Sequence, residues 1–244
     1  MNDRLFVITG GPGSGKTTLL SALARHGLAT MPEAGRAIIQ DQTRIGGTGW
    51  HGQDRQLFAE LMLGWEVRSW HEAQGTDGPV VFDRGIPDVI GYLQLYVGEA
   101  PTHVHAAAEL YRYRTTVFLA PPWPEIFGQD AQRGQDFHEA FATADAMEQA
   151  YAMAGYDLLP LPLTTVEARV DLVLQVLDQF VCSGRFTQIQ LVNRIPVAER
   201  IRDRDKQDAQ VFWPVVLHQV SQTRGDFQGL SRLGQEDTTR DLDR

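Results

Sequence analysis

At 244 residues and 43% apolar side chains, the chain is long enough for one α/β domain with an appendage and can build a substantial core. Its formal charge is −9, and the charge is uneven: residues 1–180 carry 12 basic and 22 acidic side chains, whereas residues 181–244 carry 10 and 9. No basic stripe runs through the main body, which argues against a nucleic-acid backbone as partner and for a small molecule.

The first element is the most informative. Leu5 to Thr18 reads as a buried strand, a glycine loop of the form GxxxxGK[ST], and the start of a helix. Phosphate binding needs all three parts: the strand holds the loop, the glycines let successive N–H groups curl around anionic oxygens, and the helix turns its free N–H groups to the same place. Gly10, Gly11, Pro12, Gly13, Ser14, Gly15, Lys16, Thr17 and Thr18 are therefore the expected nucleotide-binding residues. Lys16 would reach the β- and γ-phosphates, and the Thr17 hydroxyl would join a Mg²⁺ shell.

Leu19, Leu20 and Leu23 continue this first helix, which Arg25-His26-Gly27 closes. A strand over Leu28–Met31 follows, and Pro32-Glu33 opens a second helix to about Gln42. Residues 44–52 hold four glycines and no apolar period, and read as a mobile loop. Asp54 is the expected N-cap of a long helix to about Ala73, with Leu57, Leu61 and Trp65 on its apolar face. Pro79–Asp83 is a short buried strand. Helices are expected over about 88–96 and 102–112, then a strand over Thr116–Ala120, punctuated by Pro121-Pro122-Trp123-Pro124. A polar helical region over about 136–154 precedes Tyr156–Pro160, and a last helix spans about Val166–Phe180 with Val170, Val173, Leu174 and Leu177 inward. Alternating strands and helices predict an α/β fold with a mostly parallel sheet covered on both faces. Domain organisation reads as residues 1–180 for this unit and 181–244 for a partly flexible C-terminal extension.

Several side chains stand where chemistry is expected. Asp83 ends an apolar strand 67 positions after Lys16 and is placed to hold Mg²⁺ or its waters. Arg84 follows at the sheet edge where α/β proteins bind ligands, and there it can stabilise charge on a transferring group or form a structural ion pair. Glu33 and Arg36, three apart at a helix start, would face the same side. Glu33 would orient or deprotonate an acceptor hydroxyl, or simply cap the helix, and Arg36 would bind the acceptor's anionic part. Arg133, in Gln129-Asp130-Ala-Gln-Arg133, is a candidate lid arginine closing over the phosphates. Trp50-His51 is a weaker substrate contact, and His103-x-His105 reads as surface. The single cysteine, Cys182, excludes a disulfide framework or a cysteine-rich zinc site. No apolar run nears the ~20 residues that span a bilayer, the early first strand leads to the expectation of no signal peptide, and the chain reads as soluble and cytoplasmic.

Taken together, GGPGSGKTTL (10–19), MPEAGRAII (31–39), IGGTGW (45–50), FAELML (58–63), VVFDRGIPDVIGYL (80–93), VFLAPPWPEIFGQDAQR (117–133) and GYDLLPLP (155–162) resemble the NadR-like AAA-domain family of P-loop ATPases and kinases. The resemblance spans about residues 4–180. It implies a kinase-like P-loop NTPase fold with five parallel strands, the P-loop strand beside the Asp83 strand, and ATP with Mg²⁺ as phosphoryl donor. The family includes ribosylnicotinamide kinase domains, which makes nicotinamide riboside one candidate acceptor. Residues 181–244 match nothing in it.

The preferred expectation is a small-molecule kinase acting on a nucleoside- or nucleotide-like acceptor, with Lys16, Glu33, Asp83, Arg84 and Arg133 as its catalytic residues. An alternative is a nucleotide-dependent regulatory switch acting on a protein partner through the tail. A ring-forming motor ranks last, because Arg84 stands where a Walker B glutamate is expected.

Overall fold

The computed structural model describes residues 3–127 and 137–183. Five strands, β1 (Leu5–Thr9), β2 (Ala29–Met31), β3 (Val80–Asp83), β4 (Thr116–Leu119) and β5 (Asp157–Pro160), form one sheet in the order β2-β3-β1-β4-β5. Every pairing is parallel, including the β1–β3 pair that sets Ile8 opposite Asp83. The P-loop strand thus lies beside the Asp83 strand, as the resemblance implied.

The helices are α1 (Lys16–Arg25), α2 (Ala34–Ile45), α3 (Arg55–Gln74), α4 (Ile86–Tyr96), α5 (Thr102–Leu110), α6 (Pro124–Phe127), α7 (Phe137–Met153) and α8 (Val166–Ser183). They cover both faces because the strand period is two: Leu5 and Val7 point one way and Phe6 and Ile8 the other, all essentially sealed from solvent. Leu5, Val7, Val80 and Phe82 join Leu63, Val89 and Val104 in one core. Phe6, Ile8, Val81 and Phe118 join Leu19 and Leu23 of α1 and Val170, Val173 and Leu177 of α8 in the other. A third, smaller cluster of Ala34, Ile38 and Phe58 binds α2 to α3. Each such apolar side chain contributes roughly 1.5–3 kcal/mol on burial.

Differences from the sequence reading are local. Helix α2 runs on through Ile45 and ends where Gly46 takes a left-handed φ of 69°, so the glycine segment loses its first two residues to helix. What remains is tied down: Gly49 N–H donates to the Gln42 side-chain oxygen at 3.0 Å and Asp54 N–H to the Thr48 carbonyl at 3.1 Å. Asp54 caps α3 as expected, accepting from Leu57 N–H at 2.9 Å. The buried face of α3 is a different one, however. Phe58, Ala59, Leu63, Glu66, Ser69 and Ala73 point inward, while Leu57 is exposed and Leu61 and Trp65 are only partly covered. A face that includes Glu66 and Ser69 escapes a count of apolar residues. Helix α5 stops at Leu110, and Arg112 beyond it donates to the Ala154 carbonyl and lies 4.0 Å over the Tyr156 ring. The short helix α6 was not anticipated. The expected lid segment around Gln129, Asp130 and Arg133, the Cys182 side chain and the extension beyond Ser183 lie outside the described residues. Among the described residues, no helix is long and apolar enough to cross a membrane.

Helix α7 reads as polar, yet Ala140, Ala144, Met147, Ala150 and Tyr151 are buried. Its backbone comes so close to α4 that a Cβ built on Gly91 would stand 2.9 Å from the Ala146 carbonyl oxygen and 3.0 Å from the Met147 sulfur. Gly64 of α3 is the internal control, since a Cβ there meets nothing within 4 Å. Helix propensity alone favours alanine over glycine by about 1 kcal/mol at either place. We expect Gly64→Ala to stabilise the protein by about 0.5–1 kcal/mol, and Gly91→Ala to destabilise it by about 1–3 kcal/mol through the overpacked α4–α7 contact. Urea unfolding of the two variants checks this, and equal shifts would refute the close approach.

Candidate functional site

The loop between β1 and α1 has the backbone that its glycines permit. Gly10, at φ 134°, leaves no room for a side chain, because a Cβ would fall 2.1 Å from the Ala120 carbonyl oxygen. Gly15 enters α1 in the left-handed region, at φ 82°. Inside this turn the Lys16 ammonium is buried and donates to the carbonyls of Gly10 at 2.9 Å and Gly11 at 2.7 Å, with Ser14 Oγ at 3.2 Å. Burial, then the positive charge of Arg84, lowers the Lys16 pKa to about 8, against the opposing pull of Asp83, Glu33 and Asp88. Lys16 therefore still carries its charge at neutral pH.

An arginine from outside the loop also supports it. Arg169 of α8 is 2% exposed, donates from Nη1 to the Ser14 carbonyl at 2.8 Å and from Nε to the Pro162 carbonyl at 2.7 Å, and lies 4.6 Å over the Trp123 ring. Burial lowers its pKa to about 10. Sequence reasoning missed it. The signal was a basic residue on the otherwise apolar inner stripe of α8, beside Val170 and Val173.

Asp83 ends β3 at 5% exposure, and its Oδ1 is buried with no hydrogen-bond partner. Burial raises its pKa to about 6, and Lys16 is the largest opposing influence. Asp83 and Thr17 line one cavity of about 370 Å³ between α1 and α2. An orphaned carboxylate oxygen and a hydroxyl on one cavity fit a Mg²⁺ ion, which takes one or two protein ligands and fills its octahedron with water and phosphate oxygens. Among the described residues, no cluster of three or more His, Cys, Asp or Glu offers a richer metal site.

Arg84 adopts φ 74°, a conformation that costs a non-glycine residue of order 1–3 kcal/mol. Its side chain explains how the strain is held. Nε donates to Glu33 Oε1 at 3.2 Å and Nη1 to Asp88 Oδ1 at 3.0 Å. Burial alone would weaken its hold on the proton, but Glu33, Asp88 and Asp83 outweigh that and raise its pKa above the ordinary arginine value. Glu33 occupies the N-cap position of α2 but makes no side-chain cap bond. The structure thus joins the two expectations for Arg84, which is ion-paired and also faces the site.

Asp88, which sequence reasoning passed over, is the hub of this region. Thr9 Oγ1 donates to its Oδ1 at 2.6 Å, and Tyr151 OH and Gly85 N–H donate to Oδ2 at 2.7 and 2.9 Å. The spacing Asp83-Arg84-x-x-x-Asp88 was the available clue, since it sets the second acid one helical turn from the arginine.

A second cavity, of about 470 Å³, opens against Pro12 of the P-loop. Glu33, Arg36 and Arg84 line it together, and Glu33 and Arg36 also line the Thr17–Asp83 cavity. Its walls carry Phe58 and Met62 of α3, Tyr92 and Tyr96 of α4, and Met147 of α7, with Glu66 and His51 at the lining. His51 packs against Phe58 at 6.2 Å, while Trp50 does not line the cavity. His103 is on the surface beside Glu60, as anticipated.

Three comparisons bear on this arrangement. The family model described as an AAA domain matches residues 5–169. No curated protein matches. Among solved structures, thymidylate kinase from Ehrlichia chaffeensis is similar at a TM-score of 0.51 and 15% identity, covering 73% of this chain and 100% of that one. Thymidylate kinase from Candida albicans is similar at a TM-score of 0.52 and 12% identity, covering 78% and 98%. At these identities the likeness is one of fold, an α/β P-loop fold with a parallel five-stranded sheet. With the family match covering well over half of its length, the chain belongs to the AAA-domain family of P-loop proteins.

Proposed function

We propose that this protein is a Mg²⁺-dependent kinase that transfers the γ-phosphate of ATP to a hydroxyl or phosphate of a nucleoside- or nucleotide-like acceptor. The observation that carries the reading is the pair of cavities that meet at Glu33 and Arg36, one lined by Thr17 and Asp83 and the other by Pro12, Arg84 and Asp88. A phosphate donor and an acceptor need adjoining compartments with cationic groups between them, and hydrolysis alone would not need the second, aromatic-walled one. The fold it shares with two thymidylate kinases supports the same class.

In this reading the P-loop amides and Lys16 bind the β- and γ-phosphates, and Lys16 exchanges its Gly10 and Gly11 carbonyl contacts for phosphate oxygens. Mg²⁺, held through Asp83 and Thr17, would neutralise charge on those oxygens. Glu33 accepts the hydrogen bond of the acceptor hydroxyl and takes its proton as that oxygen bonds to the γ-phosphorus and the bond to ADP breaks. Arg84, fixed between two carboxylates, supplies positive charge that needs no rearrangement during transfer. Arg36 is exposed and makes no ion pair among the described residues, which leaves it available for an anionic part of the acceptor. Arg133 keeps its proposed part as a lid arginine, on sequence grounds.

The test is incubation with γ-labelled Mg·ATP and a panel of nucleosides, nucleotides and nicotinamide riboside, beside a Lys16→Ala control. Label should reach an acceptor and the control should lose at least about a hundredfold in rate, in line with loss of a preorganised charge at the transferring group. Release of labelled phosphate at one rate with every acceptor and with none would favour the regulatory ATPase instead.

Two substitutions separate the roles. Glu33→Gln keeps the size of the side chain but removes the proton acceptor, so kcat should fall by about 10²–10⁴-fold while the affinity for Mg·ATP stays near the parent value. Asp83→Asn removes a buried charge, so the folded protein should be no less stable, yet the Mg²⁺ concentration for half-maximal rate should rise by about tenfold or more. Titration of Mg²⁺ against initial rate and a thermal melt give both readings, and an unchanged Mg²⁺ requirement would remove Asp83 from the metal site.

A further inference from the structure

Glu66 is the one carboxylate of the acceptor cavity that the proposed transfer does not use. It lies on α3, is 4% exposed, lines the cavity, and makes no hydrogen bond or ion pair among the described residues. The other two carboxylates of the lining are engaged, Glu33 by Arg84 and Asp88 by four donors. A buried carboxyl without a partner costs stability unless a ligand satisfies it, and apolar residues of the same volume would fill an α3 position facing the core more favourably.

The height of Glu66 in the cavity follows from its neighbours. Phe58 of α3 meets Tyr92 of α4 with ring centroids 5.5 Å apart, and Arg55 lies 5.0 Å over Tyr96. Helices α3 and α4 therefore run antiparallel, and Glu66, two turns beyond Phe58, and Asp88, one turn before Tyr92, both line the cavity past the aromatic pair, toward the start of α4. Phe58, Tyr92 and Tyr96 wall the same cavity. A flat ring held among these side chains would share the cavity with the Glu66 carboxyl.

The protonation state of Glu66 sets the kind of edge. Burial first, then the negative charges of Asp88, Asp83 and Glu33, outweigh Arg84 and raise its pKa well above the ordinary glutamate value. A protonated carboxyl presents one O–H donor beside one C=O acceptor. That pair is the complement of an amide-type edge, an N–H next to a carbonyl, as in pyrimidinone and purinone rings. With Glu66 neutral, the lining carboxylates Glu33 and Asp88 balance the lining guanidiniums Arg36 and Arg84, and an uncharged ring suits the cavity.

We propose that Glu66 is the specificity residue of the acceptor cavity: a neutral carboxyl that pairs with the amide-type edge of an uncharged heterocycle, which makes the acceptor class nucleosides or nucleotides carrying such a ring. The inference rests on the kinase reading for calling this cavity the acceptor site, so its test measures binding apart from transfer.

The experiment is calorimetric titration of the full chain, of Glu66→Gln and of Glu66→Leu with thymidine, uridine, deoxyguanosine and the pyridinium nucleoside nicotinamide riboside, with Mg·ATP affinity as the control for a folded P-loop. At least one of the three uncharged nucleosides should bind the parent protein. Glu66→Leu should weaken that binding by about tenfold or more, and Glu66→Gln, which keeps a neutral donor and acceptor, should restore it to within about threefold. Mg·ATP affinity should not move in either variant, a split that a merely structural role would not produce. Binding of nicotinamide riboside alone, with Glu66→Gln as damaging as Glu66→Leu, would mean an ionised Glu66 holding a cationic ring and would overturn the proposal. Binding of none of the four, or binding indifferent to both substitutions, would overturn it too. Nucleoside binding that depends on Glu66 but is followed by no transfer of label would refute the kinase reading and leave the recognition role standing.

Discussion

The site depends on one buried charge. Asp88 is 5% exposed, and a carboxylate at that depth costs several kcal/mol unless donors replace the water it has lost. Four donors do so, and they come from separate parts of the chain: Thr9 at the end of β1, Arg84 and Gly85 beyond β3, and Tyr151 on α7. Satisfying Asp88 therefore fixes where α4 begins relative to the P-loop strand. Arg84 passes the constraint on by reaching from Asp88 to Glu33 at the head of α2. Strand β2, only three residues long and half-buried, is a weak anchor for Glu33. The arginine bridge, together with the Ala34–Ile38–Phe58 cluster, holds it in place. The left-handed backbone at Arg84 is tolerated because its guanidinium is held by two carboxylates, Glu33 and Asp88, and surrounding contacts of this kind are what let strain persist in a folded protein.

The P-loop is braced in a complementary way. Gly10 lies against the carbonyl of Ala120 at the end of β4, and Arg169 of α8 holds the Ser14 carbonyl. The loop is thereby held by groups outside it, and Lys16 spans it from inside. A phosphate arriving there meets N–H groups already oriented by strand, helix and arginine. Catalysis by positioning requires such preorganisation, since little covalent chemistry is left for the protein to do in phosphoryl transfer.

The sequence carried the sheet and the nucleotide side of the site plainly, because both are written in local patterns. Short apolar runs bounded by turn residues marked β1, β3 and β4, and the glycine spacing marked the loop. Lys16, Glu33, Arg36, Asp83 and Arg84 converge as read, each lying at or just beyond the C-terminal end of a parallel strand, where topology gathers them. What was hidden is polar residues that tertiary contacts bury. Glu66, Asp88 and Arg169 each look like an ordinary surface charge on a helix until the partner helix or loop is known. Glu66 also diverted the reading of α3, since a face that includes it and Ser69 looks less apolar than the Leu57–Leu61–Trp65 face that solvent partly reaches. The alanine face of α7 was underrated for a related reason: small residues signal close approach only when the glycine opposite them, Gly91, is known.

Two of the buried carboxyls show how one fold separates their tasks. Desolvation is the leading influence on both Asp83 and Glu66, and it raises the pKa of each. They diverge because their neighbours differ. Asp83 has the Lys16 ammonium as its strongest counterweight, so its pKa settles near 6 and it is ionised at neutral pH, as a metal-binding carboxylate must be. Glu66 faces Asp88 and Asp83 first, and the nearby cation, Arg84, is already shared between Glu33 and Asp88. Burial and these acids therefore favour its protonated form. Environments that push apart two carboxyls of similar intrinsic acidity assign them different chemistry. Here Lys16 favours the anion at Asp83 beside the P-loop, while burial among other acids favours the neutral form at Glu66 in a pocket lined by aromatic rings.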